Sequence, residues 1–340
     1  MSRVEAMFDR VRAAYVWLEE KPVVIVLIAA CATIGVALVL ASVAGWPHVL
    51  RVAYKRHSWS WLLVCLAGEL AAYGGYILTV RDVARLRGGE MTLSASAKTV
   101  VAGFGVFAAT RLSGGFAVDY WAFRQAGAGR RDAATRVLGL EFLEYVVLSI
   151  GVLAASAALY VGADGHASDG VTLPSLLLIP VLAIGLFLTS PKRAERLSKR
   201  GRGRLRRWFA DGVVGATNVR DLLASPREHG LAVLGNAAYW AGDLLCLWAA
   251  LQLVHAQISI AALILAYSGG YVVTRRALPA GGAGLVELAL TFALVGMDVH
   301  FAKALLAVIV YRLFNFWLPI IPALLLMPGI KEMRTQFRRA

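Results

Sequence analysis

One stretch of the chain sets the fold class, the 39 residues ISIAALILAYSGGYVVTRRALPAGGAGLVELALTFALVG at positions 258–296. Two apolar limbs flank a break that begins at Arg275-Arg276 and ends in a glycine-rich turn at Gly284. In lipid, backbone N–H and C=O groups outside helices must be satisfied by protein or by a water-filled cavity. The stretch therefore predicts a broken transmembrane helix, which either returns to its own side as a re-entrant hairpin or forms two full spans.

A second stretch, 95–123, has the same design. Its apolar run is interrupted by Arg111-Leu-Ser-Gly-Gly115, and few apolar residues follow before Arg124. The short second limb favours a re-entrant hairpin here.

The rest of the chain agrees with a membrane protein. Hydrophobic residues make up 59% of the 340 and charged residues only 16%, where soluble domains have about 25% charged residues. This composition excludes a soluble globular domain, a disordered chain and a disulfide scaffold. Apolar runs of helical length predict about six full spans, at 23–44, 59–80, 135–161, 173–190, 230–253 and 302–327.

Basic loops set the predicted orientation. The segment 192–207 holds nine Lys and Arg residues, whereas the 162–172 loop has none and carries two aspartates. Cytoplasmic loops are enriched in Lys and Arg, so the basic loop 191–229 and the C-terminus are predicted to be cytoplasmic in a bacterial-type plasma membrane. The net charge of +14 is then explained by topology and anionic lipid, without nucleic acid.

The order of segments predicts an internal repeat. Residues 59–161 run span, broken hairpin, span, and residues 230–327 run the same way from the opposite side of the membrane. The predicted fold is thus an all-α polytopic membrane domain with two inverted-topology repeats, whose substrate site lies at the broken helices near the midplane.

Ionisable residues within the apolar runs support an internal polar site. Each ionised group at the bilayer centre costs about 2.5–3.5 kcal/mol, so eight lipid-facing charges would cost roughly 20–28 kcal/mol, more than the typical net stability of about 5–15 kcal/mol. The charges must therefore pair, be protonated or line a wet cavity. They are Glu69, Arg111, Asp119, Glu141, Glu144, Asp243, Glu287 and Arg312.

The glycine-rich breaks predict an anion site. A helix that starts inside the membrane presents free N–H groups and a positive dipole to the cavity, which suits a phosphate. Arg276 and Arg312 are the predicted phosphate contacts. Close helix packing through glycine remains an alternative reading of these breaks.

Three elements of the second half resemble the lysylphosphatidylglycerol synthase transmembrane region, the flippase-domain family of the multiple peptide resistance factor. They are Asp243 after Tyr239-Trp240, the stretch LPAGGAGLVE ending at Glu287, and the stretch VYRLFNFWLP ending at Pro319. The first half departs from the family pattern, because Ser113-Gly-Gly replaces a proline break and no arginine follows Glu141.

The resemblance implies a lipid translocase that moves an anionic or aminoacylated phospholipid, or a related lipid carrier, between leaflets. The soluble synthase domain is expected to be absent. No phosphate-binding loop or metal motif is present in the sequence, so no cofactor, no metal and no enzymatic activity are predicted. A membrane enzyme or accessory subunit acting on polyprenyl-phosphate-linked or phospholipid headgroups is the alternative.

The predicted partners are membrane phospholipid headgroups and anionic lipid at the basic loop 192–207, while a homo-oligomer or a separate lipid-modifying enzyme stays open. The predicted substrate-binding residues are Arg111, Gly114, Gly115, Asp119, Glu141 and Glu144 in the first half, and Asp243, Arg276, Gly281, Gly282, Gly284, Glu287, Tyr311, Arg312 and Asn315 in the second.

Overall fold

The computed structural model describes residues 22–55, 58–109, 113–162, 174–175, 177–188, 204–272 and 282–325. These residues form helices and no strands. The helices are α1 (Pro22–Ala44), α2 (Trp46–Ala53), α3 (Ser60–Ala84), α4 (Leu93–Ala109), α5 (Ser113–Gln125), α6 (Arg130–Tyr160), α7 (Leu178–Leu188), α8 (Arg204–Ala224), α9 (Pro226–Leu253), α10 (Ile260–Tyr267), α11 (Leu285–Val295), α12 (Phe301–Arg312) and α13 (Leu318–Leu325). Two π-helical segments, Ser268–Val272 and Leu313–Trp317, extend α10 and α12.

Five helical stretches are long and apolar enough to cross a membrane, namely 24–44, 60–84, 130–160, 227–253 and 301–323. They coincide with five of the six predicted spans. Within the sixth, 173–190, the described residues include α7, which has 11 residues, short of the roughly 20 that a span needs. The count of six spans therefore stays a prediction.

Both predicted breaks separate two shorter helices. The first lies between α4 and α5, which pack against each other. The second lies between the π-helical end of α10 and the start of α11, which also pack together. Residues 110–112 and 273–281 at the centres of the breaks fall outside the described part of the chain.

The core of the bundle is an antiparallel pair formed by α3 and α9. A methyl group added at Gly68 would lie 2.6 Å from the carbonyl oxygen of Gly242, and one added at Gly75 would lie 2.3 Å from that of Gly235. A real Cβ does not approach a backbone oxygen so closely, so glycine at these sites is what brings the two backbones together. This contact joins the first half of the chain to the second.

The remaining helices surround this pair in two similar sets. In the first half α6 packs on α5 and also contacts α10, and in the second half α12 packs on α11 while α13 contacts α4. The short helix α2 and the long helix α1 both pack against α12. The last helix of each half thus packs against the broken hairpin of the other half, α6 against α10 and α13 against α4.

Basic and acidic side chains join α6 to the ends of α3 and α8. Asp132 accepts a hydrogen bond from Arg87 at 2.6 Å and forms an ion pair of 2.7 Å with the buried guanidinium of Arg136. Arg87 also donates to Asn218 on α8 at 2.7 Å. This end of the bundle is therefore held by polar contacts, in contrast to the glycine contact at its centre.

Candidate functional site

A cavity of about 890 Å³, including its open mouth, lies beside the central helix pair. Most of its wall comes from the first half of the chain, through α3, α4, α5 and α6, and a smaller part from α9 and the two π-helical segments. The lining residues are Glu69, Tyr73, Tyr76, Val100, Gly103, Phe104, Gly115, Phe116, Asp119, Glu141, Glu144, Tyr239, Tyr271 and Asn315.

The charged groups of this wall are acidic. Glu69, Asp119, Glu141 and Glu144 all line the cavity, and no lysine or arginine does so among the residues that the structure describes. Glu69 and Glu144 are 4% and 1% exposed, so their carboxyl groups are shielded from bulk solvent. Carboxyl groups in such a setting interact most favourably with a cation or a hydrogen-bond donor.

Aromatic rings form the other recurring part of the wall. Tyr73, Tyr76, Tyr239 and Tyr271 present rings and hydroxyl groups, and Phe104 completes the surface. The ring faces of tyrosine attract organic cations, and phenol hydroxyl groups both donate and accept hydrogen bonds. The cavity is therefore suited to a group that carries an amine beside apolar carbon.

At its second-half edge the cavity meets a hydrogen-bonded group that we call the Asn315 cluster, formed by Asp243, Tyr267, Tyr271, Arg312 and Asn315. The amide nitrogen of Asn315 donates to Asp243 at 2.9 Å, and its oxygen accepts from the hydroxyl of Tyr271 at 3.0 Å and from Arg312 at 3.4 Å. The hydroxyl of Tyr267 donates to the second oxygen of Asp243.

The π-helical turn explains how Asn315 reaches this position. A π-helical turn inserts one extra residue into the helix and is frequent at functional sites. The turn begins directly after the buried Arg312, and within it Asn315 and Phe316 are both buried. The guanidinium of Arg312 lies 4.4 Å from the centre of the Phe316 ring.

Arg312 is bound within the protein. Its Nε donates to Glu287 at 2.7 Å, with the two side chains 1% and 0% exposed. The other oxygen of Glu287 accepts from the backbone N–H of Gly284 at 2.6 Å, at the first turn of α11. The Glu287 carboxylate thus already occupies the Arg312 guanidinium and the N–H at the start of α11, the groups that were predicted to bind a phosphate. Arg312 is not among the residues that line the cavity.

The structure distributes the other predicted residues among three places. Gly115, Asp119, Glu141, Glu144 and Asn315 line the cavity. Gly282 and Gly284 adopt positive φ angles of 70° and 86° in the turn before α11, which only glycine takes readily. Asp243, Glu287, Tyr311 and Arg312 lie buried behind the wall, and Gly114 lies in the first turn of α5. Arg111, Arg276 and Gly281 lie outside the described residues.

The sequence prediction missed the tyrosines and, as a site residue, Glu69. The signal was available in the spacing of Glu69, Tyr73 and Tyr76, which places all three on one face of α3. Tyr239, Phe104 and Phe116 carry no such signal, because aromatic residues in membrane helices most often pack against neighbouring helices.

Long apolar helices, two broken hairpins and a partly open cavity lined by carboxyl and tyrosine side chains define a multi-pass membrane protein with a candidate site inside the bundle. The sequence model of the lysylphosphatidylglycerol synthase TM region matches residues 21–323, nearly the whole chain. The chain therefore belongs to this family, and its function is related to membrane lipid. A search of curated proteins finds no match to the chain.

Proposed function

We propose that the protein is a lipid translocase of the flippase or scramblase type. It would carry the headgroup of an anionic or aminoacylated phospholipid, or of a related lipid carrier, through the cavity while the acyl chains stay in the bilayer. The observation that carries the proposal is a partly open cavity with four carboxyl groups and several tyrosines in its wall, in a chain of this family.

The charge of the wall favours an aminoacylated headgroup over a plain phosphate. An ammonium group would donate hydrogen bonds to the carboxyl oxygens of Glu69, Asp119, Glu141 and Glu144, whereas a phosphate alone brings further acceptor oxygens to the same wall. The wall would then bind the amino group of the headgroup, and a basic residue at the breaks would hold its phosphate.

An inverted repeat would supply two equivalent sides for such transport. Adding 167 to the bounds of α3, α4 and α6 gives 227–251, 260–276 and 297–327, close to the observed 226–253, 260–272 and 301–325. The value 167 is also the difference between positions 235 and 68, and between positions 242 and 75. We call two residues separated by this offset mates.

The central contact obeys the same offset. A methyl group added at Gly68 would lie 2.9 Å from the backbone nitrogen of Cys246, and one added at its mate Gly235 would lie 3.1 Å from that of Thr79, the mate of Cys246. A contact and its mate coincide in this way when a two-fold axis relates two antiparallel helices. The pairing supports an inverted repeat whose axis passes between α3 and α9.

We also propose the setting of the protein. It lies in a bacterial-type plasma membrane with a cytoplasmic C-terminus and basic loop, where anionic lipid binds residues 192–207. It acts on lipids made by a separate enzyme and catalyses no chemical step itself.

A reconstituted flipping assay tests this function. Purified protein in liposomes is supplied with a fluorescent phospholipid that bears an aminoacyl headgroup, and the fraction that reaches the other leaflet is followed over time. The wild type should exceed protein-free liposomes, and Glu141→Gln combined with Glu144→Gln should slow the rate at least about tenfold, or about 1.4 kcal/mol in barrier.

A matched control is Glu90→Gln, which removes a carboxylate from the loop between α3 and α4, outside the cavity wall. Its rate should equal that of the wild type. Wild-type liposomes that flip no lipid faster than protein-free liposomes would overturn the proposal, and a chemically altered lipid in the same samples would favour a membrane enzyme.

A further inference from the structure

The two halves of the protein differ in one respect, since one is open where the other is closed. Eleven cavity-lining residues belong to the first half, and their mates lie in the second. Ten of these eleven mates are buried, among them Asp243, Tyr267, Val286, Val308 and Tyr311, which are at most 1% exposed. The mates of the cavity-lining residues thus form a packed region in the second half. This region includes three of the five residues of the Asn315 cluster, namely Asp243, Tyr267 and Tyr271.

The packing of the two broken hairpins shows the same difference. A methyl group added at Gly270 would lie 2.7 Å from the Cα of Leu290, so the limbs α10 and α11 are in close contact. A methyl group added at its mate Gly103 would find its nearest neighbours, on Val118 and Asp119, at 4.0 Å. The limbs of the first hairpin are therefore further apart at this level, and the cavity lies there.

The second half also contains the two π-helical turns. Their mates are residues 101–105 and 146–150, which lie within the regular helices α4 and α6. Conversion between a π-turn and an α-helix shifts the helix register by one residue and rotates the side chains that follow. Each of these segments thus has two available forms, a π-turn and a regular α-helix. The second half holds the π-turn form, and the first half holds the α-helical form.

We propose that the two halves exchange these forms during transport. When the first hairpin closes, α4 and α5 pack as α10 and α11 now do, and Gly103 takes the tight contact that Gly270 makes here. The Asn315 cluster then separates, and a second cavity opens at the mate of the first. The Asn315 cluster is accordingly the closed gate of the second half.

The central pair would serve as the fixed axis of this exchange. Its glycine contacts already match under the 167 offset, so exchanging the forms of the two halves leaves them unchanged. The motion is confined to the hairpins and to the helices that close on them, α6 in one half and α12–α13 in the other. The proposal rests on the proposed lipid transport, but it concerns a separate structural event.

Gly103→Ala provides the sharpest test, because its effect differs between the two forms. In the form described here the added methyl group has room, so the variant should fold and melt like the wild type. In the exchanged form the methyl group would meet the second limb as one at Gly270 would now. Flipping in liposomes should therefore fall at least about tenfold, equivalent to about 1.4 kcal/mol.

The matched control is Gly151→Ala on α6, where nothing lies within 4 Å of the added methyl group. It should match the wild type in both melting and flipping. If Gly103→Ala flips lipid as fast as Gly151→Ala, the exchange is overturned and the lipid translocase proposal stands. If the wild type itself flips no lipid, the proposed function fails.

Thiol labelling tests the exchange without relying on transport. In a variant whose three native cysteines are replaced by serine, Val308→Cys places a thiol at the mate of Glu141, where the native side chain is 0% exposed. A membrane-impermeant methanethiosulfonate should label this thiol, and Gly103→Ala should slow the labelling at least about tenfold. Leu247→Cys, also 0% exposed and within the central pair, should stay unlabelled. Labelling of Val308→Cys no faster than that of Leu247→Cys would contradict the exchange.

Discussion

Replacing Arg312 should destabilise the protein more than replacing Arg312 and Glu287 together. The two side chains form an ion pair of 2.7 Å in which both are at most 1% exposed. Arg312→Met leaves the Glu287 carboxylate with the Gly284 N–H at 2.6 Å and the hydroxyl of Thr33 at 3.4 Å. Removal of one partner of a buried pair costs about 3–5 kcal/mol, because the other charge remains buried without compensation.

The double variant Arg312→Met with Glu287→Leu removes both charges. It still loses the cap of α11, at about 1 kcal/mol, and the hydrogen bond from Arg312 to Asn315, also at about 1 kcal/mol. A total loss of about 2 kcal/mol is then expected, so the double variant should be more stable than the single variant by at least about 1 kcal/mol.

The stabilities of the three proteins are compared in detergent. Each protein is unfolded by increasing fractions of sodium dodecyl sulfate, and unfolding is followed by tryptophan fluorescence. The expected order of stability is wild type, double variant, single variant. A single variant as stable as the double variant would refute the reasoning, because the Glu287 charge would then not depend on Arg312.

Three further outcomes concern the scaffold around the site. Gly75→Ala should destabilise the protein by about 1–3 kcal/mol, because its methyl group would lie 2.3 Å from a carbonyl oxygen of α9. The neighbouring Gly74→Ala has nothing within 4 Å of its methyl group and should be neutral or stabilising by up to about 1 kcal/mol. Thermal melting of the two variants side by side checks this difference. Asp132→Asn should lower the melting temperature, because the buried guanidinium of Arg136 loses its charged partner at 2.7 Å, and unchanged melting would contradict that role. Ser259→Ala should cost about 1 kcal/mol in chemical unfolding, since the Ser259 hydroxyl caps α10 by accepting from the Ala262 N–H at 3.2 Å.

The helices could be predicted from the sequence because their signals are local. Long apolar runs located α1, α3, α6, α9 and the continuous stretch α12–α13 within a few residues. Glycine-rich breaks located both hairpins. These features can be identified from composition and spacing along the chain. They arise because the backbone polar groups of a membrane-spanning segment must be hydrogen-bonded within a helix, or by protein or water where the helix breaks.

The partners of the buried charges could not be predicted in the same way. The sequence indicated only that the buried charges must pair, be protonated or line a wet cavity, whereas the structure pairs Arg312 with Glu287, 25 residues away. Which acid meets which base depends on how α11 and α12 pack, and the spacing within one helix does not contain that information. For the same reason the sequence did not indicate that Arg312, a predicted phosphate contact, already pairs with Glu287.

The initial rate of headgroup translocation, compared between two lipids in the same liposomes, tests the central claim most directly. One lipid bears an aminoacyl headgroup and the other the same phosphate headgroup without the amine. The account predicts that wild-type protein moves the aminoacylated lipid faster, and that Glu69→Gln reduces this preference. Equal rates for both lipids, or rates equal to those of protein-free liposomes, would contradict it.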